Sequence, residues 1–212
     1  TKWALERRKP AAIAALRKRN VAVIASWDDK IPTAEIAGLV DAQMTLSIAQ
    51  SIELGRRFPA TPTYFVTHHV NRLIPPARPP MDRLRAGYFG ELFNTVRPDS
   101  LAGAIELNGI ETTRKDNITV SWMDALDRYN LHWIVRRRHY FDGAKPFLKG
   151  FLAARCGAVV MVTRDDGDAA YYLGDDYPFY ARALDPATLE ADWLRTASAF
   201  GGPEWRMAEA IM

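Results

Sequence analysis

The sequence predicts an α/β fold, a mixed sheet flanked by helices, with a helical N-terminal extension. Three observations predict it. The chain has 212 residues, 48% of them hydrophobic and 25% charged, enough to bury a substantial core. From residue 81 onward, short apolar runs with β-branched residues alternate with helical patterns, the spacing of an α/β layer fold. Pro59, Pro62, Pro75, Pro76, Pro79 and Pro80 break up the stretch between the first block and the rest.

The elements follow in order. Pro10 opens a helix over 11–19, because proline is tolerated in a first turn. Val21–Trp27 is β-branched and short, the pattern of a buried strand. Pro32 and Thr33 begin a long helix in which Ile36, Val40, Met44, Ile48 and Ile52 recur every four residues. These elements make up an N-terminal extension over 1–60. A proline-rich linker follows over 61–80, around the short run Tyr64–Thr67. Met81–Val96 has Leu84, Tyr88, Leu92 and Val96 on one helical face. Leu101–Leu107 is a strand closed by Asn108-Gly109, Ile118–Arg128 a helix, and Leu131–Arg137 a strand. Ala144–Ala154 is a helix with Pro146 in its first turn. Ala158–Thr163 is a strand, and Asp165-Asp166-Gly167-Asp168 turns into a further strand at Ala169–Leu173. Tyr177–Leu184 is one more strand. Asp185-Pro186 caps a last helix carrying Leu189, Trp193 and Leu194. The domain scheme is therefore 81–164 as an α/β body and 165–212 as a shorter, acidic subdomain.

Charge is divided along this scheme. Residues 56–155 carry sixteen Lys and Arg against nine Asp and Glu, whereas residues 156–212 carry four against ten. A basic body beside an acidic end suggests a polyanionic partner for the body. The densest basic feature is Arg136-Arg137-Arg138 within an aromatic run, with Lys145 and Lys149 downstream and Arg83 and Arg85 upstream. Guanidinium groups bind phosphate and aromatic faces stack on unpaired bases, so these seven are candidate RNA-binding residues. The competing reading is a solvated strand end whose arginine stems cover apolar surface.

Metal and cofactor chemistry find little support. His68 and His69 are adjacent, so in a strand they point to opposite faces, and His132 and His139 lack cysteine partners at metal spacing. The Asp165–Asp168 run matches an ordinary turn. Asp28 and Asp29 sit at a strand end, where α/β enzymes place acids, yet no Gly-x-Gly occurs in the chain. No metal, cofactor or catalytic residue is expected. Ile36–Ala42 faintly resembles the LAGLIDADG endonuclease motif, but Gln43 stands where that family has its catalytic acid. The single Cys156 permits no internal disulfide and suits a reducing compartment as a small buried residue. No apolar run approaches the roughly 20 residues of a membrane span, so no membrane association is expected.

Taken in order, residues 81–164 resemble the large-subunit ribosomal protein ten family, which anchors the ribosomal stalk. The residues that carry the resemblance are a basic helix Asp82–Phe93, a strand Ala104–Ile110 and a helix Met123–Arg128. A strand Leu131–Arg137 running into a basic pair and a buried strand Ala158–Val162 follow. Leu189 to Met207 resembles the family's late helix. Val70–Pro80 is similar to the proline-bearing stretch of mitochondrial members. The resemblance implies a structural, non-catalytic constituent of the large ribosomal subunit in the mitochondrial matrix. It would bind large-subunit rRNA, neighbouring stalk-base proteins and the dimeric stalk proteins. The family's long stalk-binding helix is not evident before Met212. The chain opens at Thr1 without a signal-peptide pattern, which fits equally a boundary within a longer chain and a mature protein whose targeting peptide has gone. Two alternatives stand beside this reading: an accessory subunit of another mitochondrial assembly, and a small α/β enzyme using Asp28 and Asp29.

Overall fold

The computed structural model describes residues 10–28, 30–110, 120–137 and 144–212. It forms two units. One takes the described residues of Thr1–His68, His139–Phe147 and Asp165–Tyr171; the other takes those of His69–Arg138, Leu148–Arg164 and Tyr172–Met212. Both contain parallel sheets flanked by helices, so the α/β class read from the sequence is the class observed.

The first unit runs α1 (Pro10–Arg19), β1 (Ile24–Ser26), α2 (Ala34–Ala37), β2 (Ala42–Thr45), α3 (Ile48–Arg57) and β3 (Thr63–Phe65). Its strands lie in the order β1-β2-β3, all parallel. Ile13, Ala25, Trp27, Val40 and Leu54 form its core. The buried Gln43 side chain links neighbouring parts of the sheet, accepting from Trp27 Nε1 at 3.0 Å and donating to Thr63 Oγ1 at 3.1 Å.

The long helix expected from Pro32 is therefore a helix, a strand and a second helix. Two capping residues explain the break. Thr33 accepts the Ile36 amide to start α2, and Ser47 accepts the Gln50 amide to start α3. The four-residue apolar spacing spans all three elements by coincidence, and Ile52 is 58% exposed.

The second unit contains β4 (Ala86–Gly90), β5 (Ile105–Gly109), β6 (Leu131–Trp133), α4 (Leu148–Arg155) and β7 (Val159–Thr163). After α5 (Ala169–Leu173), which straddles the two units, come β8 (Tyr180–Ala181), α6 (Pro186–Ser198) and α7 (Pro203–Ile211). The strand order is β5-β4-β6-β7-β8, and each pair is parallel. Parallel strands buried on both faces give continuous apolar runs: all five residues of β7 are buried.

Three expected elements change here. The helix over 81–96 is instead the central strand β4. Its Ala86, Gly87, Tyr88 and Phe89 are all buried, so no polar face remains for a surface helix. Gly87 is required by packing, since a Cβ there would lie 2.7 Å from Cγ of the Tyr129 ring. The expected helix 118–128 is a 3₁₀ segment over Val120–Arg128, with 118 and 119 outside the described residues. Residues 169–173 form helix α5 rather than a strand, because Asp168 turns inward to cap α3 instead of making a hairpin.

Candidate functional site

In an open parallel sheet, ligands bind beyond the carboxyl ends of the strands, where the chain order reverses direction across the sheet. In the second unit that point lies at β4 and β6. The chain leaves β4 to form β5 on one side, then returns to form β6 on the other.

The carboxyl end of β4 is Gly90, with φ of 150°, in the region that favours glycine. A Cβ at this position would lie 2.8 Å from Lys149 Nζ and 2.8 Å from the Tyr88 hydroxyl. Glycine therefore lets the backbone turn close beside an ammonium group. Lys149 sits in the first turn of α4, with Nζ 4.2 Å from the Tyr88 ring centroid, a cation–π contact. Tyr88 is fully buried, and its hydroxyl donates to the Glu91 carbonyl at 2.8 Å. The ring is thus fixed by burial and through its hydroxyl, and its face holds Lys149. The first amides of a helix lack intrahelical partners, so α4 adds N–H donors on the same side as Lys149.

The backbone leaving β6 is fastened to the backbone leaving β4. Val96 N–H donates to the Val135 carbonyl at 3.1 Å, Arg137 N–H to the Asn94 carbonyl at 2.8 Å, and Thr95 Oγ1 to Val135 at 3.1 Å. Arg136 forms an isolated antiparallel bridge with Thr95. In such an extended segment, Arg136 and Arg137 project to opposite sides. Arg136 and Arg137 therefore do not face one ligand together.

His132 lies behind this edge on β6 and is 3% exposed, with Phe89 5.1 Å away between ring centroids. Its pKa is lowered to about 4, chiefly by burial and further by the charge of Lys149, against a raising hydrogen bond with the Leu126 backbone. It is neutral near pH 7, and its Nε2 has no partner among the described residues.

The remaining sequence candidates are dispersed. Arg83 and Arg85 precede the amino end of β4, at the opposite edge of the sheet from Gly90. Lys145 belongs to the first unit and Lys149 to the second. Arg138, His139 and Asp29 lie outside the described residues. Asp28 follows β1 with φ of 52°, and Ser26 Oγ donates to its Oδ1 at 3.3 Å. The described residues contain no group of three His, Cys, Asp or Glu side chains placed to hold a metal ion. Cys156 is buried, and burial first, then the Asp127 charge, raises its thiol pKa to about 11.

Asp168 was hidden inside a run that matches an ordinary turn. It is fully buried and accepts from Ser47 Oγ at 2.8 Å, Ile48 N–H at 2.7 Å and Ala49 N–H at 3.1 Å. Its part in the first unit is to cap α3. Tyr88 and Gly90 were also missed, because the four-residue spacing placed them on a helix. A glycine ending an apolar run was the available signal.

No protein-family model matches the chain, and no curated protein matches it. Among solved structures, it is similar to an S. aureus TarM mutant in complex with fondaparinux, alpha-GlcNAc-glycerol and UDP. The TM-score is 0.47 at 10% identity, covering 82% of this chain and 41% of that one. The expectation of a ribosomal, non-catalytic protein is corrected at the segment where the resemblance began. The basic helix Asp82–Phe93, with which the ribosomal resemblance began, is replaced by the buried strand β4.

Proposed function

We propose that this protein is a nucleotide-dependent group-transfer enzyme, a glycosyltransferase in class, which binds a nucleoside diphosphate sugar. The diphosphate lies at the carboxyl edge of the five-stranded sheet, against Gly90, Lys149 and the first turn of α4. The observation that carries this reading is the juxtaposition of Gly90, at φ of 150°, with Lys149 Nζ at the strand-order reversal. A turn without a side chain admits phosphate oxygens to the backbone, and the adjacent ammonium offsets their charge.

In glycosyl transfer the bond between the sugar anomeric carbon and the β-phosphate oxygen breaks, and its electron pair leaves with the nucleoside diphosphate. An acceptor oxygen forms the new bond to carbon and gives up its proton to a base. Negative charge grows on the departing phosphate, where a fixed cation and helix amides stabilise it most. Lys149 holds that position because Tyr88 anchors it from below.

UDP, recorded with TarM, is the first nucleotide to test. Calorimetric titration of the full chain should give saturable UDP binding, weakened at least tenfold in Lys149→Ala. Unchanged affinity in Lys149→Ala would remove this residue from the site. Absence of binding by UDP, ADP and GDP at millimolar concentration would overturn the nucleotide reading.

A further inference from the structure

The second unit has a cleft of about 800 Å³ at its other edge. Its walls come from residues 83–86 at the amino end of β4, 102–104 before β5 and Arg128-Tyr129 before β6. A strand rises about 3.3 Å per residue, so the five residues of β4 put roughly 15 Å between this cleft and Gly90. The two sites are separate.

Three arginines line the cleft: Arg83, Arg85 and Arg128. The backbone of Arg83 and Arg85 is held in place by Asn130, which is 1% exposed. Its Nδ2 donates to the Pro80 and Arg83 carbonyls, both at 2.8 Å, and its Oδ1 accepts the Arg85 amide at 2.9 Å. Arg85 Nη2 donates to Asp82 at 2.9 Å, but its Nε is buried with no partner among the described residues. A buried guanidinium donor left unpaired is costly, and an anion in the cleft would supply an acceptor. The lining carboxylate Glu106 meets the Tyr129 hydroxyl and Asp82 pairs with Arg85, so the three guanidinium groups still outnumber the carboxylates beside them. Beside them the cleft is roomy and partly apolar. A Cβ on Gly103 would meet nothing within 4 Å, and the indole of Trp193 forms part of the wall.

We propose that this amino-edge cleft binds a small phosphorylated molecule, its phosphate on Arg83, Arg85 and Arg128 and its uncharged part against Trp193. Arginine forks match phosphate oxygens in pairs, and three of them suit a dianionic group better than a single carboxylate. The cleft is independent of nucleotide binding at the Gly90 edge.

The test uses the full chain carrying Lys149→Ala, so that the other edge does not contribute, with inorganic pyrophosphate as the probe. Calorimetry should show one saturable site, weakened at least tenfold by Arg83→Ala with Arg128→Ala. Gly103→Phe fills the cleft without removing a charge and should abolish binding while leaving the melting temperature unchanged. Binding that survives both changes, or its absence in the Lys149→Ala chain, would overturn the proposal. So would displacement of pyrophosphate by a short RNA at far lower concentration, which would make the cleft a nucleic-acid contact.

Discussion

At the scale of single residues, charged side chains mostly serve the fold. Asp192 is fully buried, accepting the Arg182 amide at 2.8 Å and Arg182 Nε at 2.6 Å. Asp185 caps α6, and hydrogen bonds with Thr188 lower its pKa. Arg155 Nε donates to the Ile74 carbonyl, and Arg97 to the Ile105 carbonyl. Sequence counting registers such groups as free charge, because a count does not see which carbonyl or amide each one meets. Two predictions belong here. His132 has its pKa lowered from 6.5 to about 4, so below pH 6.5 the unfolded chain takes up a proton that the native chain refuses. Stability should then fall as pH drops from 6.5 towards 4, by roughly 3 kcal/mol in total. Urea unfolding against pH should show this slope in the native protein and a flatter one in His132→Leu; equal slopes would discount the residue. Asp28 holds a left-handed conformation that glycine adopts without strain, so Asp28→Gly should stabilise by up to about 1 kcal/mol. Thermal unfolding checks this: a lower melting temperature for Asp28→Gly would show that the bond from Ser26 outweighs the strain.

At the scale of elements, the legible parts were those with local markers. Pro10 does open α1, and Asp185-Pro186 does open α6. The apolar run Ala158–Thr163 is β7 to within one residue. The errors fell where a four-residue apolar spacing overlay buried strand, at Leu84–Val96 and Ile36–Ile52. Periodicity cannot separate the two when both faces of a strand are covered. Long-range capping was illegible for a different reason: Asp168 is about 120 residues from the helix it caps. Asp168→Ala would leave the Ser47 hydroxyl and two α3 amides without their acceptor, at a cost of about 3 kcal/mol. Chemical denaturation should register most of that loss, and Asp168→Asn, which keeps an acceptor, should lose less. A loss within a few tenths of a kcal/mol for Asp168→Ala would show that α3 does not need this cap.

At the scale of the whole molecule, the α/β class was readable because strands and helices alternate in the chain. Strand order was not readable, since it depends on pairings between distant segments. The candidate site depends on that order: Gly90 and Lys149 are 59 residues apart, and only the central position of β4 brings them together. Lys149 stood out in the sequence as one basic residue among several. Its anchoring by Tyr88 and its closeness to a glycine turn were invisible there.

Hydrogen–deuterium exchange with and without UDP tests the central claim most directly, because it reports where a nucleotide sits. Saturating UDP should slow exchange at Gly90–Glu91 and in the first turn of α4, and leave residues 83–86 and 102–104 unchanged. Protection confined to segments away from the carboxyl edge of β4 would contradict the account.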